Sequence, residues 1–395
     1  MSSAELLAKH DDRRGRPENS DQQQQGGPAA SGRKRLYALD GMRLMAALGV
    51  LSFHWTAYVD IGGIWPRGHS PAQVMPAVNH VAAYGWLGVN LFFVISGFVI
   101  CMSCWGKSVG QFFVSRVVRL YPAYWAAVLL TSTVLLTMGA WIRHGAANGL
   151  DAQAILANLT MLETPLGIRQ VDGVYWTLWA ELRFYVLFGV LAAFGLTYRK
   201  VVAFCGVWMF VAILSIQAKS ELLTTIAMPQ YAPFFIAGMA IFLMYKYGPN
   251  LLLWGIVGFS WLIALAQVRP IEAMYVNVLN HGLNWYVVAA GFTVAMGLVL
   301  AAALGLFDWA NWKWLTVAGA LTYPLYLIHQ EAGWTLIHFG LGHGLGVVGS
   351  LGTAFAVVVV VAYLIHRLIE RPLSKPLKKG LDRSMVSLRE ASRAR

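Results

Sequence analysis

The sequence predicts an all-α integral membrane protein with about ten transmembrane helices. Three observations support this prediction: 58% of the 395 residues are hydrophobic, only 12% are charged, and the mean hydropathy is +0.57. A soluble domain averages about 25% charged and about 45–50% apolar residues, so one soluble core could not bury this much apolar surface. The 16 Trp and 16 Tyr residues fit a chain that meets the membrane–water interface many times.

Runs of about 20 mostly apolar residues, long enough to cross a bilayer, occur ten times. They lie near 42–60, 82–104, 118–140, 174–196, 201–217, 227–245, 250–267, 283–305, 314–338 and 346–366. The polar residues 1–36 lack the apolar core of a signal peptide, and we expect them to be a disordered cytosolic tail. The membrane domain is predicted at 37–370, followed by a basic cytosolic tail at 371–395.

The distribution of Lys and Arg predicts that both termini lie in the cytosol. With the N-terminus inside, 24 basic residues fall on the cytosolic side and five on the outer side, and Arg183 lies within a span. This asymmetry follows the positive-inside rule. The net charge of +12 therefore indicates membrane orientation. Since no water-exposed basic face with interleaved aromatic residues occurs, we expect the lipid bilayer, and no nucleic acid, as a partner. The expected location is the plasma membrane, the inner membrane of a bacterium.

The three cysteines all fall in apolar segments, which excludes a disulfide framework. Cys101 and Cys104 form a CxxC motif, but no second cysteine pair or nearby histidine accompanies them. We interpret them as small apolar helix residues, and no metal site is predicted.

Ionisable residues within spans are costly, and by default they indicate a functional site. Arg43 and His54 share the first span, separated by eleven residues or ~16 Å of helix. Glu181, on the fourth span, is predicted at a depth similar to that of His54. A carboxylate that orients an imidazole is a common way to build a general base, so His54 and Glu181 are the predicted catalytic pair. The alternatives are a structural His54 hydrogen bond and an ion pair of Glu181 with Arg183 or another arginine.

Two further polar clusters accompany this pair. Arg116 and Arg119, at i and i+3, share one helical face at the cytosolic entrance of the third span. With Arg43 they form either a phosphate clamp or a set of positive-inside anchors. The other residues are assigned to an acceptor-side or structural polar network: Trp176, Arg183, Tyr323, Tyr326, His329 and Gln330.

Outer segments also carry groups suited to sugars. Tryptophans can stack on sugar rings or anchor the interface, and acidic or amide side chains can bind hydroxyl groups. The candidates are Trp65, Trp176, Trp334, Asp60, Asp172 and Asn284.

These motifs together resemble the acyltransferase-3 family of integral membrane acyltransferases. The resemblance covers roughly residues 36–376 and rests on LDGMRLMAALGVLSFH with its Arg-x10-His pair, GVNLFFVISGFVI, RVVRLYPAYW, WTLWAELRFY, LTYPLYLIH and IERPLSKP. It implies transfer of an acyl group, often acetyl, from cytosolic acyl-CoA to a hydroxyl of a sugar or another acceptor. Arg43, Arg116, Arg119 and Tyr121 are then assigned to acyl-CoA binding. No bound cofactor and no SGNH domain are expected.

The favoured acceptor is a hydroxyl of a cell-surface or exported glycan, because the arginines face the cytosol and the other polar groups lie toward the outer side. A small-molecule acceptor such as a macrolide fits the same residues. A different class, a transporter of an anionic solute, would also use buried Arg, Glu and His. It is disfavoured because the two halves show no inverted repeat and no matching Gly- or Pro-broken helices.

Overall fold

The computed structural model describes residues 36–58, 65, 70–138, 149–279 and 282–393, and within these ranges the chain is helical with no strand. The expected tail at 1–36, apart from Leu36, lies outside the described residues. The α-helices are α1 (Tyr37–Ser52), α2 (Pro71–Val74), α3 (Pro76–Ala82), α4 (Leu87–Cys104), α5 (Val109–Met138), α6 (Ala152–Asn158), α7 (Trp176–Ala193), α8 (Tyr198–Ala218), α9 (Glu221–Ala227), α10 (Ala232–Tyr247), α11 (Leu251–Ala266), α12 (Val268–Leu279), α13 (Trp285–Ala303), α14 (Trp314–Ile328), α15 (Glu331–Gly342), α16 (Val347–Leu364) and α17 (Arg371–Arg393).

The helices confirm an all-α, multi-pass membrane protein. In the described part of the chain, seven helical stretches are long and apolar enough to cross a membrane: Pro76–Cys104, Val109–Met138, Gly173–Ala193, Tyr198–Ala218, Glu221–Tyr247, Trp285–Ala303 and Val347–Ser387. Two shorter apolar helices, α11 and α14, coincide with the predicted seventh and ninth spans. The first predicted span coincides with α1 and the turn that follows it.

Glycines bring α1, α4 and α10 into backbone contact. A Cβ on Gly85, just before α4, would lie 2.0 Å from the carbonyl oxygen of Gly49 on α1, and one on Gly97 would lie 2.2 Å from that of Phe235 on α10. Gly238 on α10 meets the carbonyl oxygen of Val94 in the same way, at 2.1 Å. Only a residue without a side chain permits such approaches, which are typical of membrane helix interfaces. The glycine-rich sequence around α4 is therefore a packing motif.

Two spans contain irregular turns at the level of the predicted site. After α1 the chain continues as a π-helical turn, Phe53–Ala57, which contains His54. The predicted ninth span is interrupted: α14 ends at Ile328, and α15 begins at Glu331. The prediction of one continuous helix over 314–338 is therefore wrong at His329 and Gln330. Pro324 is accommodated inside α14 and does not cause the break.

The segment 150–172 enters the helix bundle. Tyr121 and Trp125, near the middle of α5, donate hydrogen bonds of 3.0 Å to the carbonyl oxygens of Thr160 and Leu159. The ring of Tyr175 packs against Tyr124, with centroids 5.0 Å apart. Because α5 continues for more than a dozen residues beyond this point, α7 begins beside the middle of a long span. The predicted topology makes the segment between the third and fourth spans an outer loop. Residues 150–172 of this segment instead pack against the middle of α5, inside the helix bundle.

The basic region predicted as a C-terminal tail is the helix α17, reached through a π-helical segment, Ile365–Glu370.

Cys101, Cys104 and Cys205 are buried free thiols, which confirms that no disulfide framework exists.

Candidate active site

A cavity with about 800 Å³ of empty space, its open mouth included, lies among α1, α4, α5, α7 and α14. Three arginines and one carboxylate line it, so its charge suits an anionic ligand. The polar lining residues are Arg43, Ser96, Arg116, Arg119, Thr177, Glu181, Tyr185, Thr322, Tyr323 and Tyr326. The structure thus brings the three predicted clamp arginines to one cavity, together with Glu181 and both tyrosines of α14.

Arg43 lies on the α1 wall of the cavity. Its guanidinium is 3.6 Å from the carboxylate of Asp40, and the Arg43 side chain is 26% exposed. Asp40 occupies the first turn of α1. Gly319 on α14 makes room for the Asp40 side chain, since a Cβ on residue 319 would lie 2.7 Å from that side chain. Arg43 is therefore held near α14 while it faces the cavity.

The two arginines of α5 have different partners. Arg116 donates from Nε to the hydroxyl of Ser115 at 3.3 Å. Arg119 donates from Nη1 to Oε1 of Glu370 at 2.9 Å, and Glu370 also lies 2.8 Å from Nδ1 of His366. Glu370 is buried, and Arg119 is partly exposed along the cavity. Arg119 is thus fixed by an ion pair, whereas Arg116 has no charged partner among the described residues.

Glu181 is held inside this cavity by two hydroxyl groups. Ser96 on α4 donates to Glu181 Oε1 at 2.8 Å, and Tyr185, one turn along α7, donates to the same oxygen. The predicted contact between Glu181 and His54 is not formed, because the hydrogen bonds of His54 go to Val50 and His329. The alternative ion pair with Arg183 is not formed either, since Arg183 donates to the carbonyl oxygen of Thr225.

His54 instead pairs with His329, where the two irregular turns meet. Nδ1 of His54 lies 3.0 Å from the carbonyl oxygen of Val50 and 3.0 Å from Nε2 of His329. Nδ1 of His329 lies 2.7 Å from the carbonyl oxygen of Tyr326. π-helical turns often mark functional sites, and here one carries the predicted catalytic residue.

Two tryptophans secure the histidine pair by reciprocal hydrogen bonds. The indole N–H of Trp55, beside His54, donates to the carbonyl oxygen of His329 at 2.7 Å. The indole N–H of Trp334, on α15, donates to the carbonyl oxygen of His54 at 2.9 Å. Carbonyl groups released by a π-turn or a helix end must be satisfied inside a membrane protein. A carbonyl oxygen in each irregular turn is therefore hydrogen-bonded to a tryptophan of the other span.

Tyr326 lies beside both the cavity and the histidine pair. Tyr326 lines the cavity, and its hydroxyl is hydrogen-bonded to that of Thr177 at 2.9 Å. Its ring centroid lies 5.5 Å from that of His329, whose ring lies 5.0 Å from that of His54. The arginine-lined cavity and His54 are therefore neighbours across Tyr326, and His54 itself does not line the cavity.

Asp172 supports this region from the start of α7. Its Oδ1 accepts from the backbone N–H of Val174 and its Oδ2 from that of Glu331, each at 3.1 Å. One buried carboxylate therefore caps the N-terminal ends of two helical segments. Gly173 lies against Gln330: a Cβ on Gly173 would be 2.5 Å from Nε2 of Gln330, so a side chain there would require the Gln330 amide to shift.

Several residues predicted to contact sugars have other positions. Asp172 and Trp334 are buried in capping and backbone hydrogen bonds. Trp176 packs against Tyr231, with ring centroids 5.3 Å apart, and Asn284 caps α13. Trp65 is half-buried. Asp60 lies outside the described residues.

Three other assignments also change. Tyr121 does not line the cavity, because it anchors segment 150–172. Arg183 is directed to α9 and lies over the ring of Trp179. Gln330 is buried against Gly173, away from the cavity lining.

Sequence reasoning missed Ser96, Tyr185 and Glu370. Tyr185 lies at i+4 from Glu181, a spacing at which helical side chains meet, so this contact was readable from the sequence. Ser96 and Glu370 contact the site from distant helices, and no local pattern connects them to it.

Comparisons with known proteins identify the family. A family model described as "Acyltransferase domain", of the acyltransferase-3 type, matches residues 36–367. "Acyltransferase MdmB" of Streptomyces mycarofaciens is 28% identical over 157 residues, a match that covers 39% of this chain and 38% of that protein. "Nodulation protein 10" of Rhizobium leguminosarum bv. viciae is 28% identical over 295 residues, 67% of this chain and 77% of that protein. No solved structure matches. The chain therefore belongs to the acyltransferase-3 family and is a membrane enzyme that transfers acyl groups.

Proposed function

We propose that this protein transfers an acyl group, in the simplest case acetyl, from cytosolic acyl-CoA to a hydroxyl of an exported or cell-surface glycan. The observation that carries the proposal is the arginine-lined cavity that ends at Tyr326, beside the pair formed by His54 and His329. A phosphate-bearing donor suits the cavity, and an imidazole suits proton transfer from a hydroxyl.

The donor binds in the cavity through its phosphates. Guanidinium groups bind phosphate oxygens bidentately, and Arg43, Arg116 and Arg119 supply three of them on two walls. Apolar side chains, Phe92 and Phe93 among them, line the rest and accept the pantetheine chain. The acyl thioester then lies toward Tyr326, on the side of the cavity nearest the histidines.

His54 acts on the acceptor. In direct transfer its imidazole takes the proton of the acceptor hydroxyl while the hydroxyl oxygen attacks the acyl carbon. The new C–O bond forms, the C–S bond breaks, and the proton passes to the departing thiolate, which leaves as free CoA. In a two-step variant the imidazole nitrogen first takes the acyl group and then gives it to the hydroxyl. Both routes need the Tyr326 ring to move, because it lies between the cavity and His329.

The side on which the donor enters follows from the predicted topology. Arg43 lies early in α1 and Arg116 early in α5, and both helices are predicted to start at the cytosolic face of what we take to be the bacterial inner membrane. A reporter active only in the cytosol, fused after Arg395, should be active. Activity of a reporter that works only outside the cytoplasm would contradict this orientation.

The enzymatic test uses purified protein in lipid nanodiscs with labelled acetyl-CoA. His54→Ala should lower transfer by about 10²–10⁴-fold, the usual cost of losing a general base. His343→Ala is the control, because His343 is exposed near the end of α15, away from the cavity. Near-normal transfer by the His54 variant would refute the assignment.

The acceptor is tested in cells. O-acyl groups on envelope and secreted polysaccharides are compared by mass spectrometry in strains with and without the gene. We expect one glycan to lose its O-acyl groups, and the gene with His54→Ala should fail to restore them. Identical O-acylation of every glycan would refute a glycan acceptor.

A further inference from the structure

We propose that His329 is the positioning residue that fixes the tautomer and orientation of His54. The proposal rests on the proposed function, in which His54 acts as a base or acyl carrier. It assigns to His329 the orienting role that the sequence indicated for Glu181.

The hydrogen-bond partners determine where the protons lie. The carbonyl oxygen of Tyr326 only accepts hydrogen bonds, so Nδ1 of His329, 2.7 Å away, carries a proton. In the neutral ring Nε2 of His329 is then an acceptor. It faces Nδ1 of His54 at 3.0 Å, and the carbonyl oxygen of Val50 faces the same nitrogen at 3.0 Å. Both neighbours of Nδ1 accept, so Nδ1 of His54 also carries a proton, in a three-centre hydrogen bond.

The free nitrogen of His54 follows from this arrangement. With the proton on Nδ1, Nε2 of His54 keeps its lone pair, and no described group is hydrogen-bonded to it. Nε2 is therefore the atom that takes the acceptor proton or the acyl group. When His54 becomes positively charged, the lone pair of His329 Nε2 stabilises the charge through Nδ1–H, as a carboxylate does in a hydrolytic triad.

The surroundings hold His329 rigidly enough for this role. His329 is buried, its ring is fixed by the Tyr326 carbonyl, and its own carbonyl accepts from Trp55. The break between α14 and α15 frees that carbonyl and directs the ring toward His54. Orienting groups are effective when their own rotamers are locked in this way.

Variants in nanodiscs separate positioning from folding. His329→Ala should lower kcat about 10²-fold or more, while the KM for acyl-CoA changes less than about twofold, because the arginine cavity is intact. His329→Gln should recover part of kcat, since its amide oxygen can accept from His54 Nδ1–H. The double variant His54→Ala/His329→Ala should be no slower than His54→Ala alone. His338→Ala, nine residues further along the chain and on α15, is the matched control.

A spectroscopic readout is independent of activity. In protein labelled with ¹⁵N at histidine, the His54 signals, assigned by their loss in His54→Ala, should show a protonated Nδ1 and a through-hydrogen-bond coupling to His329. Full kcat in His329→Ala, or absence of that coupling, would overturn the inference, because the Val50 carbonyl would then suffice. Failure of the wild-type protein to transfer from any acyl-CoA, with the coupling present, would instead overturn the proposed function.

Discussion

Arg119 on α5 donates a hydrogen bond of 2.9 Å to Glu370, 251 residues further along the chain. The buried carboxylate ties the third predicted span to the end of the last one and fixes one arginine of the arginine-lined cavity. Under the proposed function Arg119 has two roles, support of the fold and contact with the donor, and variants can separate them.

We expect Arg119→Ala to lower both thermal stability and affinity for acyl-CoA, since it leaves Glu370 buried without its guanidinium partner. The double variant Arg119→Ala/Glu370→Gln should regain stability and stay weak in acyl-CoA binding. Arg116→Ala is the comparison, because Arg116 has only a hydroxyl partner and should lose affinity alone. Melting temperature and acyl-CoA binding in detergent measure the two effects. Unchanged acyl-CoA binding in all these variants and in Arg43→Ala would leave the arginines as topology anchors.

Glu181 lines the arginine-lined cavity, where we propose that the donor binds, so its substitution should act differently from that of His329. Glu181→Gln keeps an oxygen for Ser96 and Tyr185 but removes the negative charge among the arginines. We expect a change in the KM for acyl-CoA and little change in the spectroscopic signature of His54. Tyr185→Phe, which removes one donor to the carboxylate, is the milder comparison. A lost coupling between His54 and His329 in Glu181→Gln would contradict this separation of roles.

The close helix contacts at some glycines predict that the effect of a glycine-to-alanine substitution on stability depends on its position. Gly97→Ala places a methyl group 2.2 Å from a carbonyl oxygen of α10 and should cost about 1–3 kcal/mol, the range for overpacking. Gly206→Ala on α8 meets no atom within 4 Å and should be neutral or stabilise by about 0.5–1 kcal/mol through helix propensity. Thermal unfolding in one detergent compares the two. Equal melting temperatures would show that α4 and α10 can move apart at no cost.

We expect Glu163, in the segment between α6 and α7, to make the thermal stability of the protein depend on pH. Burial raises the pKa of Glu163 above its usual 4.5, and the hydrogen bonds that the carboxylate accepts from its own backbone N–H and from Gln170, at 3.4 Å, lower it by less. The folded state thus disfavours the carboxylate. This cost is absent below pH 4.5, where both states are protonated, and it grows as the pH rises toward the folded-state pKa. Glu163→Gln should therefore raise the melting temperature at pH 7.5 but not at pH 4. An equal shift at both pH values would contradict a charge effect.

The sequence predicted the helical class and the cavity arginines because both depend on local patterns. Apolar runs locate spans, and the i, i+3 spacing of Arg116 and Arg119 places them on one face whatever the tertiary arrangement. The pairing of His54 with Glu181 was wrong for a physical reason. Position along a helix fixes the depth of a side chain in the membrane but not the direction in which it points around the helix axis.

The irregular turns were not readable for a related reason. Nothing in LTYPLYLIHQEAGW marks the break at His329, since Pro324 lies within α14 and the break occurs where the chain gains contacts with distant residues. Trp334 and Asp172 were interpreted as groups on the outer side of the membrane. Trp334 is buried because it donates to the carbonyl oxygen of His54 in the π-helical turn. Asp172 is buried because it accepts from the N–H groups of Val174, before α7, and of Glu331, at the start of α15.

The double cap formed by Asp172 has a consequence for how the enzyme is made. The N–H of Val174 is available to Asp172 as soon as that segment is synthesised, but the N–H of Glu331 emerges 159 residues later. During insertion, therefore, the start of α15 has no cap until the ninth predicted span docks on the fourth. Packing of the same span against the turn after α1 brings His329 to His54. A nascent chain that already holds the arginines of α1 and α5 therefore still lacks the histidine pair to which the proposed function assigns the transfer step.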